Sequence, residues 1–171
     1  MDEPDPPLPV ADRVDAILAE WARERPELDA APMGVVGRIA RLALASDQAL
    51  RPTFESRGLG EGEFDVLATL RRAGAPYERT PGELGERTMV TSGAVSKRID
   101  RLVAKGLVTR MADEADARVR RIRLTEAGRA LVDDAVVEHL AREEALLAPL
   151  DTVEREQLAG LLRRLLLPLQ G

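Results

Sequence analysis

The chain has 171 residues, 44% of them apolar, and a formal net charge of −5, which favours one folded domain with extensions over a disordered chain. It contains no cysteine and one histidine, His139, so disulfides and thiolate chemistry are excluded and a metal site has few potential ligands. No apolar run reaches the ~18 residues of a membrane span, and the chain does not begin with a charged-then-apolar signal segment. We therefore expect a cytoplasmic protein without a membrane partner.

The chain is expected to begin with a tail and a helix. Residues 1–10 are acidic and include four prolines, which predicts a disordered tail. From Ala11 onward, apolar residues recur at intervals of three and four between Val14 and Trp21, the spacing of one helical face. This spacing predicts a first helix that ends near Pro26.

Two further helical patterns follow. A second helix is predicted to begin just after Pro32, and Pro52 is expected to kink it or to end its regular part. Residues 59–62 then interrupt the pattern with two glycines. Apolar spacing from Phe64 predicts a third helix, which Gly74 closes.

The next two helices are predicted to form a helix-turn-helix. The segment Thr80–Glu83 has the pattern of a helix start, because threonine can cap, proline suits the first turn, and the glutamate completes a capping box. This helix is short and ends near Arg87. A second start at Thr91 opens a longer helix that Gly106 closes. A very short helix followed by a longer one is typical of the helix-turn-helix.

The longer helix has two chemically different faces. At ~100° per residue, its apolar side comprises Val95, Ile99, Leu102 and Val103, which are expected to face the core. The opposite side comprises Gly93, Ala94, Lys97 and Arg101. Small residues there permit close approach to a DNA major groove, and the cations can reach guanine edges or phosphates. Arg98 lies on the shoulder between these faces, and a merely solvated basic face is the alternative.

A basic hairpin is predicted directly after these helices. Residues 107–111 and 119–124 have the composition of strands on either side of the polar tip 112–118. A hairpin in this position is the wing of a winged helix. Arg118 at its tip can enter a narrow minor groove and Asp116 can brace the guanidinium, with a turn and a surface ion pair as the alternative.

The predicted module is basic within an acidic chain. Between Arg87 and Arg123 there are ten basic and four acidic residues, a net charge of +6, which leaves −11 for the rest. Ile122 and Leu124 are expected to share the core face of the second strand, while Arg121 and Arg123 point away. Such a basic face is typical of a protein that binds a polyanion. The predicted DNA-contacting residues are Ser92, Gly93, Ala94, Ser96, Lys97 and Arg101 on the helix and Asp116 and Arg118 on the wing.

Two more helices are predicted after the hairpin. Thr125 caps a long helix that has His139 in its apolar stripe, as a core or interface residue, and that ends at Pro149. A capping box at residues 151–154 opens a leucine-rich helix that reaches about Leu167. That helix is more apolar than a surface helix needs. A core between two subunits is expected to bury it, and packing within one chain is the alternative.

Together these elements predict a mainly α fold with a small β-wing. We expect a disordered tail at 1–10, N-terminal helices for dimerisation and ligand binding at 11–58, a winged helix-turn-helix DNA-binding lobe at 59–125, and C-terminal dimerisation helices at 126–171.

The chain resembles the MarR family of winged-helix transcription regulators. The resemblance rests on an ordered series of motifs, namely Phe64–Leu67, Pro81–Leu84, Ser92–Leu102, Lys105–Arg110 and Ile122–Gly128. It implies a homodimer, with N- and C-terminal helices at the interface and two wings that span a pseudo-palindromic operator. The family usually has Asp-Arg-Arg at the wing tip. Ala117 replaces the middle arginine here, which is expected to weaken the contact between wing and DNA backbone.

A narrower resemblance, to the urate-responsive branch of the family, implies a ligand. That branch has an added first helix and binds its ligand with a tryptophan, an aspartate and two arginines, and this chain has Trp21, Asp65, Arg98 and Arg110 in those places. An indole face, a carboxylate acceptor and arginine charge suit urate or a related purine. Citrate or aconitate would also suit the two arginines. The alternatives are a core or interface tryptophan, an exposed carboxylate and two phosphate-binding arginines.

The resemblance implies a ligand-responsive regulator of transcription, and a repressor before an activator, in the bacterial cytoplasm and associated with the nucleoid. In this hypothesis the ligand disturbs a contact between Asp65 and an arginine and changes the spacing of the recognition helices. No cofactor and no catalysis are expected, because the sequence shows neither a phosphate loop nor a metal-binding cluster. A winged-helix protein-interaction module that does not bind DNA is the alternative.

Overall fold

The computed structural model describes residues 11–60, 62–88, 92–113 and 119–169, and at 92–94 it describes the backbone only. The chain divides into two compact units, an N-terminal unit up to Gln48 and a C-terminal unit from Ala49. Within the described ranges, no helix is both long and apolar enough to cross a membrane. The division into a tail, N-terminal helices for dimerisation and ligand binding, a DNA-binding lobe and C-terminal dimerisation helices stays a prediction.

The N-terminal unit contains the first helix and most of the second. They are α1 (Arg13–Glu24) and α2 (Ala31–Glu55), which continues into the C-terminal unit. Arg38 of α2 donates to the carboxylate of Asp12, the N-cap of α1, at 3.0 Å and so links the two helices. Val14 is the one described residue of this unit that is buried.

The two prolines of α2 do not set its ends as predicted. The helix begins at Ala31, and Pro32 lies in its first turn, where a proline fits because the N–H groups there have no partner within the helix. The helix also continues past Pro52 to Glu55, so of the two predicted effects of Pro52 the end of the helix is wrong, while a kink stays a prediction.

The described part of the C-terminal unit contains five further α-helices and a short 3-10 helix, Leu167–Leu169. The α-helices are α3 (Glu63–Arg72), α4 (Pro81–Arg87), α5 (Ser92–Ala104), α6 (Glu126–Leu146) and α7 (Thr152–Leu166). The predicted caps are confirmed, because the side chains of Thr80, Thr125 and Asp151 each accept a hydrogen bond from a backbone N–H of the first turn. The short α4 followed by the longer α5 is the pair predicted as a helix-turn-helix.

A three-stranded antiparallel sheet completes the unit. The strands β1 (Glu78–Arg79), β2 (Val108–Ala112) and β3 (Arg120–Leu124) have the order β1-β3-β2. Strands β2 and β3 are the predicted hairpin, paired so that Arg110 lies opposite Ile122. Strand β1 was not predicted from the sequence, because two residues are too few to show an alternating pattern. The predicted fold class, mainly α with a small β-wing, is confirmed.

One apolar core holds these elements together. Sixteen of the described residues form it, and Val66, Leu67 and Leu70 of α3 are fully buried within it. Ile122 and Leu124 face this core, as predicted. The core thereby fixes α5 and the hairpin against α3, and it determines which of their charged side chains reach one another.

The structure corrects two positions on α5. Val103, predicted to face the core, has 37% of its surface exposed. Arg98, predicted on the shoulder of the helix, is buried, with 7% of its surface exposed. Its guanidinium lies against Gly62, the N-cap of α3, where a Cβ atom would overlap it. Gly62 has a φ of 68°, so this space depends on a backbone conformation that helical periodicity does not reveal.

Candidate nucleic-acid interface

The outer face of the predicted recognition helix, α5, presents polar side chains near its N-terminal end. Ser96 and Lys97 are exposed, while Val95 and Ile99 of the same helix are buried in the core. The N-terminal part of a recognition helix is the part that contacts base edges in helix-turn-helix proteins. The other predicted contact residues of the first turn are Ser92, Gly93 and Ala94, whose side chains lie outside the described part of the chain.

Arg101, predicted to face DNA, is bound within the protein. Its Nε donates to Oε1 of Glu63, the first residue of α3, at 2.7 Å. The side chain of Glu63 is fully buried and also accepts hydrogen bonds from Nζ of Lys105 and from the backbone N–H of Gly60, the latter at 2.8 Å. We call this group, Glu63 with Arg101, Lys105 and the Gly60 N–H, the Glu63 cluster. The Arg101 side chain is still 51% exposed, and its contact with DNA stays a prediction.

The Glu63 cluster keeps a buried carboxyl group ionised. Burial alone raises the pKa of Glu63, because it removes the charged form from water. Hydrogen bonds from Lys105, the Gly60 N–H and Arg101 outweigh burial, and the pKa lies below its ordinary value. The cluster therefore holds the C-terminal half of α5 to the start of α3. This role of Glu63 was not predicted from the sequence, because an acidic residue in a first helical turn is common in any protein.

Two arginines of the wing are also paired within the protein. Arg121 and Arg123 on β3 point away from the core, as predicted. Arg123 donates to Glu78 of β1 at 2.7 Å. Arg121 forms an ion pair with Asp113 and lies 3.7 Å from Glu78. These arginines connect β3 with β1 and with the end of β2, so their charges are partly neutralised.

A smaller set of cations remains unpaired. Among the described residues, no carboxylate lies within 4 Å of Arg87, Lys97 or Arg120. Lys97 lies on α5 and Arg120 is the first residue of β3, so both belong to the elements that contact DNA in a winged helix. The predicted wing-tip residues Asp116 and Arg118 lie outside the described part of the chain.

The four predicted ligand residues fall in both units of the chain. Trp21 lies on α1 in the N-terminal unit. Asp65 lies in the first turn of α3, and Arg98 is buried beside the N-cap of that helix. Arg110 on β2 donates to Asp100 of α5 at 2.6 Å. Ligand binding by this set stays a prediction.

His139 lies at the margin of the core of the C-terminal unit. Its ring centroid is 5.6 Å from that of Phe54 and 4.9 Å from that of Phe64. Its Nε2 lies 3.1 Å from the carboxylate of Glu143. The ring thus packs against two aromatic side chains on one side and has a polar contact with a carboxylate at Nε2. The described residues include no group of three potential ligands placed to hold a metal ion.

Comparison with known proteins identifies a family. The model of the MarR family matches residues 57–119. The chain is 40% identical over 151 residues to the HTH-type transcriptional regulator PecS of Dickeya dadantii, a match that covers 88% of this chain and 91% of PecS.

Two solved structures show the same fold. One is BpsR of Bordetella bronchiseptica, whose DNA binding is regulated by 6-hydroxynicotinic acid. Its TM-score is 0.69 at 27% identity, over 77% of this chain and 91% of BpsR. The other is a mutant of MarR from E. coli in complex with operator DNA. Its TM-score is 0.69 at 26% identity, over 85% of this chain and 97% of that protein.

Proteins of this family are non-enzymatic regulators that bind operator DNA and function as dimers, some of them with small-molecule ligands. The predicted resemblance and the expectation that the chain is not an enzyme are therefore confirmed. With its winged helix-turn-helix and its similarity to PecS over most of both chains, this protein belongs to the MarR family of transcriptional regulators.

Proposed function

We propose that this protein is a dimeric repressor that a small anionic ligand releases from a pseudo-palindromic operator. The observation that carries the proposal is the exposed Lys97 on α5, close to the N-terminal end of the recognition helix and without a carboxylate partner among the described residues. The chain has a net charge of −5, yet this cation is not paired with a carboxylate of the described residues. Its position therefore favours an interaction with DNA.

In this proposal α5 enters the major groove and the wing follows the backbone. Ser96 and Lys97 contact base edges or phosphates. Arg120, the first residue of β3, contacts the DNA backbone from the wing. Arg118 at the wing tip enters the minor groove, braced by Asp116. The Glu63 cluster sets the position of α5 beneath these contacts.

The ligand response is proposed to act on two connections of α5. Arg98 connects α5 with the start of α3, where Asp65 also lies, and Arg110 connects β2 with Asp100 of α5. An anion that attracts either guanidinium, with Trp21 against its planar face, would change how α5 is held. Operator affinity falls only if the ligand binds the DNA-incompetent state more tightly, and a tenfold fall corresponds to ~1.4 kcal/mol of coupling.

A planar or polycarboxylic anion suits these residues best. Urate or a related purine could stack on the indole and pair with arginine, and citrate or aconitate would use the arginines alone. BpsR, whose DNA binding 6-hydroxynicotinic acid regulates, shows that an aromatic acid can act on a protein of this fold. These three chemistries define the compounds to be tested.

Exposed apolar side chains support the dimer. In α1 and α2 they are Ile17, Trp21, Met33, Val35, Val36, Ile39, Leu42 and Leu44, and in α7 and the turn after it they are Val153, Leu161, Leu165, Leu166, Leu167 and Leu169. Apolar surface of this extent is typical of a protein–protein interface. Light scattering after size-exclusion chromatography should give twice the 18.7 kDa of one chain, and a monomer at micromolar concentration would contradict the proposal.

The DNA contact can be tested with a duplex selected from a random library. Lys97→Ala should weaken binding at least about tenfold at low salt and lower the salt dependence by about two released ions, because each protomer of the dimer loses one cation–phosphate or cation–guanine contact. Arg23→Ala is the matched control, since it removes one charge from an exposed ion pair on α1. If no duplex binds with an affinity that falls with salt, a protein-interaction module replaces the proposed function.

The ligand can be tested by gel shift with the wild-type protein and its selected operator. Urate, xanthine, citrate, salicylate and 6-hydroxynicotinic acid are titrated in turn. At least one should release the DNA, and Arg110→Gln should shift that titration to higher ligand concentration. If none of the five weakens the complex, release by these anions is excluded, although DNA binding still stands.

A further inference from the structure

A surface cavity of about 250 Å³ lies where α3 and α4 end beside β1. Thr69, Arg72, Ala73, Arg79 and Arg87 line it. Three of these five residues are arginines, each from a different element of secondary structure, and none is acidic. None of the four predicted ligand residues lines this cavity, so it is separate from the proposed effector site. We call it the triarginine cavity.

The arginines of this cavity have little negative charge to balance them. Arg72 donates to the neutral hydroxyl of Thr69 at 2.9 Å. Arg87 has no carboxylate within 4 Å among the described residues. Arg79 lies 3.6 Å from Glu83, and its buried Nε atom has no hydrogen-bond partner in the described part of the chain. Among the described residues, a single carboxylate, that of Glu83, therefore lies within 4 Å of any of the three guanidinium groups, and the buried Nε of Arg79 remains without an acceptor.

Helix ends explain only part of this arrangement. Arg72 lies in the last turn of α3 and Arg87 in the last turn of α4, where the negative end of the helix dipole favours a cation. That effect applies to each of the two separately. It does not explain Arg79, which lies on a strand. Nor does it explain why three like charges line one cavity, where their mutual repulsion would be offset by a bound anion.

We propose that the triarginine cavity binds a compact oxyanion with two or more negative charges, such as inorganic phosphate or a tricarboxylate. The planar guanidinium group donates two parallel hydrogen bonds to carboxylate or phosphate oxygens, and three of them suit an anion with several oxygens. The cavity is smaller than the ~300–1,000 Å³ typical of sites for drug-sized ligands, which favours a compact ion. Because the arginines come from α3, β1 and α4, a bound anion would join the first helix of the helix-turn-helix to the core helix beneath it.

The proposal can be tested by isothermal titration of the full-length protein with citrate, phosphate and acetate at low ionic strength. Citrate and phosphate should bind, and acetate, with a single charge, should bind at least about tenfold more weakly. Arg72→Gln and Arg87→Gln should each lower the affinity for the multivalent anion about tenfold. Both side chains are exposed, so the variants should keep the fold, which a thermal melt without anion checks.

Three outcomes would overturn the proposal. Arg120→Gln is the matched control, because it removes an equally exposed and unpaired charge outside the cavity. An equal loss of affinity in this variant would show general electrostatic attraction instead of a site. Loss of anion binding in Arg110→Gln but not in Arg87→Gln would place the anion at the proposed effector site, which leaves the proposed function intact. Weakened DNA binding in Arg87→Gln, without binding of either multivalent anion, would make the cavity a contact for the DNA backbone.

Discussion

The two units of this chain differ in how they bury their apolar side chains. The C-terminal unit encloses sixteen core residues among those that the structure describes, and Leu67 is one of the fully buried ones. In the N-terminal unit only Val14 is buried among the described residues, and apolar side chains such as Ile39 are exposed. The winged helix-turn-helix thus has a core of its own. The helices of the N-terminal unit have apolar surface that only a further contact would bury, and a second copy of the chain is the partner we propose.

Truncating one apolar residue in each unit should give the largest difference. Leu67→Ala removes a fully buried side chain and should lower the free energy of unfolding by about 2–5 kcal/mol. Ile39→Ala, at a residue with 40% of its surface exposed, should change it by about 0.5 kcal/mol in dilute protein. Urea denaturation measures both. If the loss in free energy of unfolding caused by Ile39→Ala increases with protein concentration, contact with a second chain buries this residue. If Ile39→Ala and Leu67→Ala cause equal losses in dilute protein, the two units do not differ in how they bury apolar side chains.

Adding a methyl group probes the same contrast in the opposite direction. A Cβ on Gly128 of α6 would overlap the backbone carbonyl of Leu107, so Gly128→Ala should destabilise the fold by about 1–3 kcal/mol. A Cβ on Gly37 of α2 would be 3.5 Å from Val14, an ordinary contact, and alanine favours a helix by ~1 kcal/mol over glycine. Gly37→Ala should therefore raise the thermal midpoint while Gly128→Ala lowers it. If both variants shift the thermal midpoint in the same direction, the two glycines do not differ in how closely their surroundings are packed.

Removing the buried charge of the Glu63 cluster should have an effect no larger than that of Gly128→Ala. Glu63→Gln keeps the shape of the side chain but leaves Arg101 and Lys105 without their anion, at a cost of about 1–3 kcal/mol. The control is Asp133→Asn, which breaks a partly exposed pair with Arg71 at 2.6 Å and should cost about 0–1 kcal/mol. Denaturant midpoints at neutral pH distinguish the two. A cost for Glu63→Gln no larger than that of the control would show that the cluster does not anchor α5.

The pH dependence of stability should give the smallest differences. Hydrogen bonds from Arg57 and then from Arg142 lower the pKa of Glu138 to about 2. A carboxyl group whose pKa is lower in the folded than in the unfolded state stabilises the fold above the unfolded pKa. That contribution is lost as the pH falls from about 4.5 towards 2. Urea midpoints of wild type and Glu138→Gln should therefore differ at pH 5 and converge near pH 2.

Asp15 offers the counterpart in the N-terminal unit. A hydrogen bond from Arg38 lowers its pKa, so its contribution is also lost in acid. The side chains of Asp15 and Arg38 are both exposed to solvent, which weakens their ion pair. Asp15→Asn should therefore change the acid dependence of stability less than Glu138→Gln does. An equal or larger effect of Asp15→Asn would contradict the expectation that this polar contact of the N-terminal unit is the weaker one.

Local chemistry made most of the fold predictable from the sequence. Helix starts at Thr80, Thr125 and Asp151 follow from caps that act over three residues, and apolar spacing identified the core face of β3. The family followed from motifs that are contiguous in the chain. Strand β1 was missed because two residues show no period, and Pro32 and Pro52 were misjudged because a helix tolerates proline in its first turn and, here, near its end.

The roles of the charged residues depended on the tertiary structure. By the sequence alone, Arg101 and Lys97 are equivalent cations on one helical face. Only the folded chain brings Glu63, 38 residues from Arg101, into contact with it and leaves Lys97 unpaired among the described residues. The burial of Arg98 against Gly62 has the same origin. The sequence thus determined the elements and the family, because capping and periodicity are local. The partner of each charge was decided by tertiary packing, because an ion pair depends on distance in space and not on distance along the chain.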